Sequence, residues 1–425
     1  MSSSGPFTVG DFLDEEGGMP AERKTSLVDA LPTEMISEVL SFASIHEVTP
    51  VTSSLQTIRD KRTKSLKLDY AITATMADQL AERYPNVEKL ILPQDRRGME
   101  NVLVILHRFH RLQSLYIYNI GELGMLQLKS CRRLKHLKIK DLEYADARVP
   151  VMQCMPECPD LEILSVRFDH MIHRRIQTAQ LPEELPPKLR VVHLKGLSIS
   201  PPDARRLMQL DNLKSLWIGK WSNEAVQEFA RCCEEGMCNL SELFATAPQI
   251  KQMGILPTVR SLGVVHRLDT EDLPDIVVRF PNVEVFQDSS SHNSWVDVSP
   301  DKSDHPVHAD VVRPWLSDLR HFNGQVANFI GRNRLKIFEQ APKLEFLNLH
   351  FEQPTGSDSE EEEFQCPPRL KTLKLTFWST FGPSWTRIRI VGTPALQKLS
   401  LSLPRRTELI LDDVPTNVRP KVYRH

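Results

Sequence analysis

Along most of the chain, apolar and polar positions alternate in one recurring beat. An apolar residue is followed by two variable positions, an apolar residue, one variable position and a last apolar residue. Strong copies begin at Leu112 (Leu112-Gln113-Ser114-Leu115-Tyr116-Ile117), Leu134, Leu161, Leu213, Leu344, Leu370 and Leu396. Weaker copies begin at Thr63, Val87, Leu189, Leu240, Val259, Val283 and Leu319. Successive starts are mostly 19 to 28 residues apart, and one gap is 36. The closing apolar pair, two residues apart, predicts a short strand with one face in a core. Between the beats the spacing turns helical. Residues 75–84 place Met76, Leu80 and Tyr84 on one predicted helix face, and Met99 to Phe109 and Glu224 to Cys232 read similarly. Many of these stretches end at Tyr84-Pro85, Cys158-Pro159, Phe280-Pro281, Ala341-Pro342 or Thr393-Pro394. Proline disfavours helix in the residue before it and so marks the crossing to the next strand.

About fourteen copies of an L-x-x-L-x-L phrase at this period are the signature of leucine-rich repeats. The expected fold is an α/β solenoid over residues 63–415, with a parallel sheet on its concave side and helices or extended returns outside. The Asn or Cys that many such repeats place after the last leucine is mostly absent, with Ile120, Leu142 and Leu197 there instead. The turn is therefore built differently. Two insertions interrupt the series. Residues 287–310 are polar and account for the 36-residue gap; residues 352–368 hold the acidic run Ser357-Asp358-Ser359-Glu360-Glu361-Glu362-Glu363. Insertions in repeats map to surface loops, so the acidic run is expected to be a solvated loop, free to fold back over a basic face. Leu409-Ile410-Leu411 is expected to close the end, with residues 416–425 as a tail.

Composition adds few constraints. Hydrophobic residues make up 40%, enough for a continuous core. The net charge of −2 gives no bulk pull toward nucleic acid or an anionic membrane. Seven scattered cysteines suit a reducing compartment, and no signal peptide or membrane span is read, so cytosol or nucleus is expected. Residues 1–26 are Ser-, Gly- and acid-rich and read as a disordered tail.

Residues 27–62 read as two or three short helices. Pro32 sits in a first turn, where a missing N–H costs nothing, and Met35, Ile36, Val39 and Leu40 form one apolar stripe. The run Leu31-Pro32-x-Glu34-Met35-Ile36-x-Glu38-Val39-Leu40-Ser41-Phe42 resembles the opening of an F-box. An F-box followed by leucine-rich repeats is the arrangement of the F-box/LRR family. The resemblance implies a substrate-recognition adaptor of an SCF-type ubiquitin ligase. Leu31, Pro32, Glu34, Met35, Ile36, Val39 and Leu40 would contact a Skp1-like partner, and the repeats would hold a client protein. The other reading of the same residues is a cap on the first repeat, its stripe packed against Leu66 and Leu68.

Catalytic motifs are missing: there is no phosphate-binding G-x-x-x-x-G-K-[ST] loop, G-x-G-x-x-G, G-x-S-x-G or H-E-x-x-H. No enzyme activity and no cofactor are expected. Cys154, Cys158, His170 and His173 approach zinc-finger spacing, but a repeat strand runs through the middle and favours the solenoid. Cys232, Cys233 and Cys238 read as buried thiols. The outward positions of the strands carry more. They run Tyr116 and Tyr118, Lys138 and Lys140, Ser165 and Arg167, His193 and Lys195, Trp217 and Gly219, then Phe244. At about 4.8 Å per strand this track spans roughly 24 Å. Exposed aromatics beside Arg are enriched at binding hot spots. The expected partner is an acidic or mixed protein segment; neither nucleic acid nor membrane is expected, and the chain is expected to be monomeric outside its complex.

Overall fold

Each beat of the sequence becomes one strand of a long parallel sheet. The computed structural model describes residues 60, 62–68, 72–92, 96–120, 128–142, 148–149, 158–167, 177–179, 181–219, 221–265, 272–288, 309–325, 335–352, 360–378, 385–403 and 407–424. Residues 1–26, the F-box-like residues Leu31 to Leu40 and most of the 287–310 insertion lie outside the described residues. The chain divides at Thr63/Lys64 into two units, and every strand among the described residues belongs to the second, Lys64–His425.

The strands are β1 (Ser65–Lys67), β2 (Lys89–Ile91), β3 (Ser114–Ile120), β4 (His136–Leu142), β5 (Arg148–Val149), β6 (Ile163–Arg167) and β7 (Gln177–Ala179). Then come β8 (Val191–Lys195), β9 (Leu197–Ser198), β10 (Ser215–Ile218), β11 (Glu242–Ala245), β12 (Ser261–Val264), β13 (Val285–Asp288) and β14 (His321–Gln325). The last are β15 (Phe346–Glu352), β16 (Glu360–Gln365), β17 (Thr372–Trp378), β18 (Trp385–Val391), β19 (Lys398–Leu403), β20 (Glu408–Asp412) and β21 (Lys421–Arg424). Fifteen of them form one sheet in chain order, β1-β2-β3-β4-β6-β8-β10-β11-β12-β13-β14-β15-β17-β19-β21, each parallel to the next. The fold is α/β with a large parallel sheet and few helices, an arrangement compatible with a solenoid.

In-register stacking of the beat holds this sheet. Leu115, Leu137, Leu164, Val192, Leu216, Leu243, Leu262 and Phe286 are successive register partners, and none is more than 2% exposed. Burying one such side chain is worth about 1.5–3 kcal/mol, so the ladder of apolar rungs fixes the register. The first apolar position of most beats, such as Leu112, Leu134, Leu161 or Leu344, closes a turn onto the residue three before it. Pro159, Pro342 and Pro394 occupy the second position of such turns, where their fixed φ is already correct. At the strand entrances one carbonyl serves two N–H groups of the following coil: Glu88 O accepts from Gln113 and Ser114, Gln113 O from Lys135 and His136, Lys214 O from Ser241 and Glu242. Several neighbouring coils carry opposite charges there, giving Lys64–Glu88 at 3.0 Å, Arg190–Glu162 at 3.3 Å and Lys371–Glu345 at 2.6 Å.

The returns take two forms. Helices such as Ala74–Arg83, Pro201–Met208 and Asn223–Glu234 start at side-chain caps from Thr73, Ser200 and Ser222. Other returns are extended and form two small parallel sheets, β5-β7-β9 and β16-β18-β20. The first helix buries Ala77, Ala81 and Tyr84, whereas Met76, expected on that face, is 38% exposed. The small alanines allow the helix a close approach that the longer Met76 does not.

Two expectations at the C-terminal end need correction. Glu360 to Gln365 of the acidic run is a strand, not a loop. Phe364 and Cys366 lie two apart and are buried, and β18 binds the backbone in parallel. Its charge is matched across the small sheet, where Glu363 pairs in register with Arg389, which also binds Asp412 at 2.6 Å. This segment is pinned and cannot swing over a distant face. Leu409, Ile410 and Leu411 belong to β20 of the small sheet. The large sheet ends instead on β21, within the expected tail, where Leu401 pairs with Val422.

Candidate functional site

Strand alternation leaves one face of the large sheet open, opposite the buried leucines. Tyr116, Lys138, Ser165, His193, Trp217 and Phe244 are consecutive register partners across β3, β4, β6, β8, β10 and β11. All nine residues named from the sequence for this face are thus on one surface. Lys138, Lys140 and Arg167 are exposed, while Tyr116, Tyr118, His193, Lys195, Trp217 and Phe244 are half-buried.

The structure joins them into two linked groups. In the first, the Lys89 and Lys138 ammonium groups lie 5.1 and 5.4 Å from the Tyr116 ring centre, and Lys140 lies 5.1 Å from that of Tyr118. In the second, Lys195 sits 4.0 Å from the centre of the Trp217 ring. Trp217 and Phe244 stack at 4.6 Å and 15°, and the His193 ring meets Phe244 edge-on at 5.5 Å. Cation–π contacts of this kind are worth about 0.5–2 kcal/mol each, the larger values when desolvated. They also hold flexible lysines in one place before a ligand arrives, lowering the ordering cost of binding.

Three contributors were not read from the sequence. Lys89 belongs to a weak copy of the beat. Gly263 lies beneath Phe244, where an added Cβ would stand 2.0 Å from Phe244 Cδ1. The signal for it was a glycine inside a strand, Leu262-Gly263-Val264, which marks a close approach. The third is a polar relay below the rings. Ser215 Oγ donates to Glu242 Oε2, so its lone pair accepts from His193 Nε2–H at 2.9 Å. That bond fixes the neutral tautomer. Burial, then Lys195 and Lys138, push the His193 imidazolium down to about 4. Burial, then Arg167 and Lys138, also lower the Lys195 ammonium. Ser114 Oγ and His136 Nδ1 repeat the Ser–His contact at 2.9 Å. The relay supplies no nucleophile, because Ser215 is 3% exposed and its proton is held by the carboxylate.

Cys158 is buried and donates to the Cys131 carbonyl at 3.2 Å; Cys154, His170 and His173 lie outside the described residues. Among the described residues no group of three or more His, Cys, Asp and Glu side chains is placed to hold a metal ion. Cys232 is buried, but Cys233 and Cys238 are half-buried, a correction to the reading of three buried thiols. A hydrogen bond from Cys233 lowers the Cys238 thiol. Among the described residues no helix is long and apolar enough to cross a membrane. The seven Skp1-contact candidates, Leu31 to Leu40, lie outside the described residues. No protein-family model matches the chain, and no curated protein matches it.

Proposed function

We propose that the chain is the substrate-recognition adaptor of an SCF-type ubiquitin ligase. In this reading residues 63–415 are a leucine-rich-repeat solenoid, its concave side is the open face, and residues 27–62 are an F-box that docks a Skp1-like protein. The observation that supports client recognition is the continuity of the aromatic and cationic side chains across six adjacent strands, held in place by one another. Rigid aromatics beside fixed cations are hot-spot chemistry, and the charge favours an acidic or mixed protein segment. The ligase half rests on the F-box resemblance of Leu31 to Phe42. The chain performs no bond chemistry; it raises the local concentration of a client lysine near a ubiquitin-loaded enzyme. Such an adaptor works in the cytosol or nucleus.

A pull-down of the full-length chain with purified Skp1, beside a Leu31→Ala/Pro32→Ala double variant, tests the ligase half. Capture by the wild type and loss in the double variant are expected. No capture by a folded wild type overturns it and leaves a recognition scaffold whose first helices cap the repeats.

A further inference from the structure

The two ends of the large sheet are finished differently. At β1 the rung residue Leu66 is 1% exposed, as deep as the rungs in the middle of the stack. At the other end the rung passes from Leu375 to Leu401 and on to Val422 of β21. Leu375 and Leu401 are fully buried, whereas Val422 is 39% exposed. The small sheet ends in the same way. Ile388 and Ile390 are fully buried, while their register partners on β20, Leu409 and Leu411, are half-buried. Tyr423, next to Val422, is 58% exposed. Among the described residues no strand lies beyond β21. Each coil of a stacked fold is covered by its neighbours. A last coil whose core position stays open is therefore a template for one more strand.

The charge of this edge selects its occupant. Residues 414–424 hold Arg419, Lys421 and Arg424 and no carboxylate, and all three cations are exposed. Arg424 also holds the last coil to its neighbour, its Nη1 donating to the Thr407 carbonyl at 3.0 Å. A second copy of the chain fits poorly. Laying β21 antiparallel on its twin, centred between Val422 and Tyr423, sets Lys421 against Arg424, and like charges directly opposite destabilise a strand pair. The β20 strand of a second copy does not answer these cations either, because Glu408 and Asp412 are already held by Arg387 at 2.8 Å and Arg389 at 2.6 Å. Lysine on an edge strand guards against self-pairing, and the same charge attracts a strand that brings carboxylates. Lys421 and Tyr423 lie on the open-face side of β21, and Val422 lies on the core side. The fitting strand thus alternates, with acids beside Lys421 and apolar side chains beside Val422. In strand addition the backbone supplies the affinity and the alternate side chains the specificity.

We propose that the outer edge of β21 docks an extended acidic segment of another protein by strand addition, its carboxylates beside Lys421 and its apolar residues over Val422. This surface is separate from the rings of β3 to β11, and the inference depends on neither the client reading nor the ligase reading. The test is fluorescence anisotropy of the full-length chain with a labelled eight-residue peptide that alternates Glu with Val. One control peptide carries Lys in place of Glu. The other keeps the acidic sequence but is N-methylated at every backbone nitrogen, which preserves charge and blocks strand pairing. The acidic peptide is expected to bind at least tenfold tighter than either control. Its binding should slow backbone hydrogen exchange at Val422 and Tyr423 of the wild-type chain. Lys421→Glu, at an exposed position, should weaken it at least tenfold, and Lys140→Gln/Arg167→Gln on the open face should leave it unchanged. Equal binding of the N-methylated peptide overturns the proposal, because charge alone then explains the affinity. So does slowed exchange confined to β3 to β11, or no binding at all. A dimer in sedimentation velocity that the acidic peptide dissolves overturns it in favour of a second copy of the chain. Skp1 capture without binding of this peptide sinks this inference alone.

Discussion

Strands β3 to β11 and strands β13 to β15 present the same register positions on the same face, yet fill them with different chemistry. The first group shows Tyr116, Lys138, Ser165, His193, Trp217 and Phe244; the second shows Gln287, Asn323 and Asn348. In the second group Asn348 Nδ2 donates to Asn323 Oδ1 at 2.7 Å. These amides carry no charge. The first group is held by rings and carries cations at Lys140, Arg167 and Lys195. The same backbone thus supports a neutral amide surface and a cationic, aromatic one. The difference lies in side-chain charge, not in strand geometry.

Glycines offer the sharpest way to break this comparison. An added Cβ at Gly263 meets the Phe244 ring at 2.0 Å, whereas at Gly324 the nearest atom is Phe322 Cε1 at 3.1 Å. Gly263→Val should force Phe244 off Trp217 and cost about 1–3 kcal/mol, as overpacking does. Gly324→Ala should cost far less. Urea midpoints of the two variants test this, and equal losses would show that the ring stack is not specially seated.

The next effect depends on pH. His193 is held neutral in the fold, at about 4, below its ordinary value of 6.5. The unfolded chain therefore binds the extra proton first as pH falls. Stability contributed here is complete above about pH 6.5, falls as pH drops toward 4, and levels off below. The loss should be roughly 2 kcal/mol once partial exposure is allowed for. The groups around the ring are Lys195, Lys138, Ser215, Trp217 and Phe244, with Glu242 reached through Ser215. His193→Gln should flatten the difference between urea midpoints at pH 7 and pH 5; an unchanged difference would assign it elsewhere.

Trp217→Leu should cost about 1–2 kcal/mol by removing the stack with Phe244 and the contact with Lys195. Asn348→Ala, in the amide group, should cost about 0.5–1.5 kcal/mol, the worth of one hydrogen bond. Thermal or urea unfolding ranks the pair. The smallest expected effect has the opposite sign. Lys140→Glu places a carboxylate beside Arg167 and should stabilise the fold by a few tenths of a kcal/mol. A loss of stability in that variant would show that the cationic row is not strained.

The strand series was largely legible because its signal is local. All fourteen copies of the beat, weak ones included, became strands of the large sheet, since a two-residue alternation needs only one buried face to read. The fifteenth, Lys421–Arg424, was missed because all four of its residues are exposed and it carries no beat. The acidic run misled for a related reason: Glu360 to Glu363 masks an alternation whose apolar members, Phe364 and Cys366, come only at its end.

The sequence by itself determined where strands begin, which side chains share a face, and that cations and aromatics meet there, because covalent spacing sets these things within five or six residues. Tertiary structure alone decided what those side chains do to one another. Gly263 and Phe244 lie 19 residues apart, Ser215 and Glu242 lie 27 apart, and Arg167 and Lys195 lie 28 apart. Whether such residues touch depends on how many residues each return consumes and on the register it restores. That register is set by the stacked leucines of the core, and the open face inherits it.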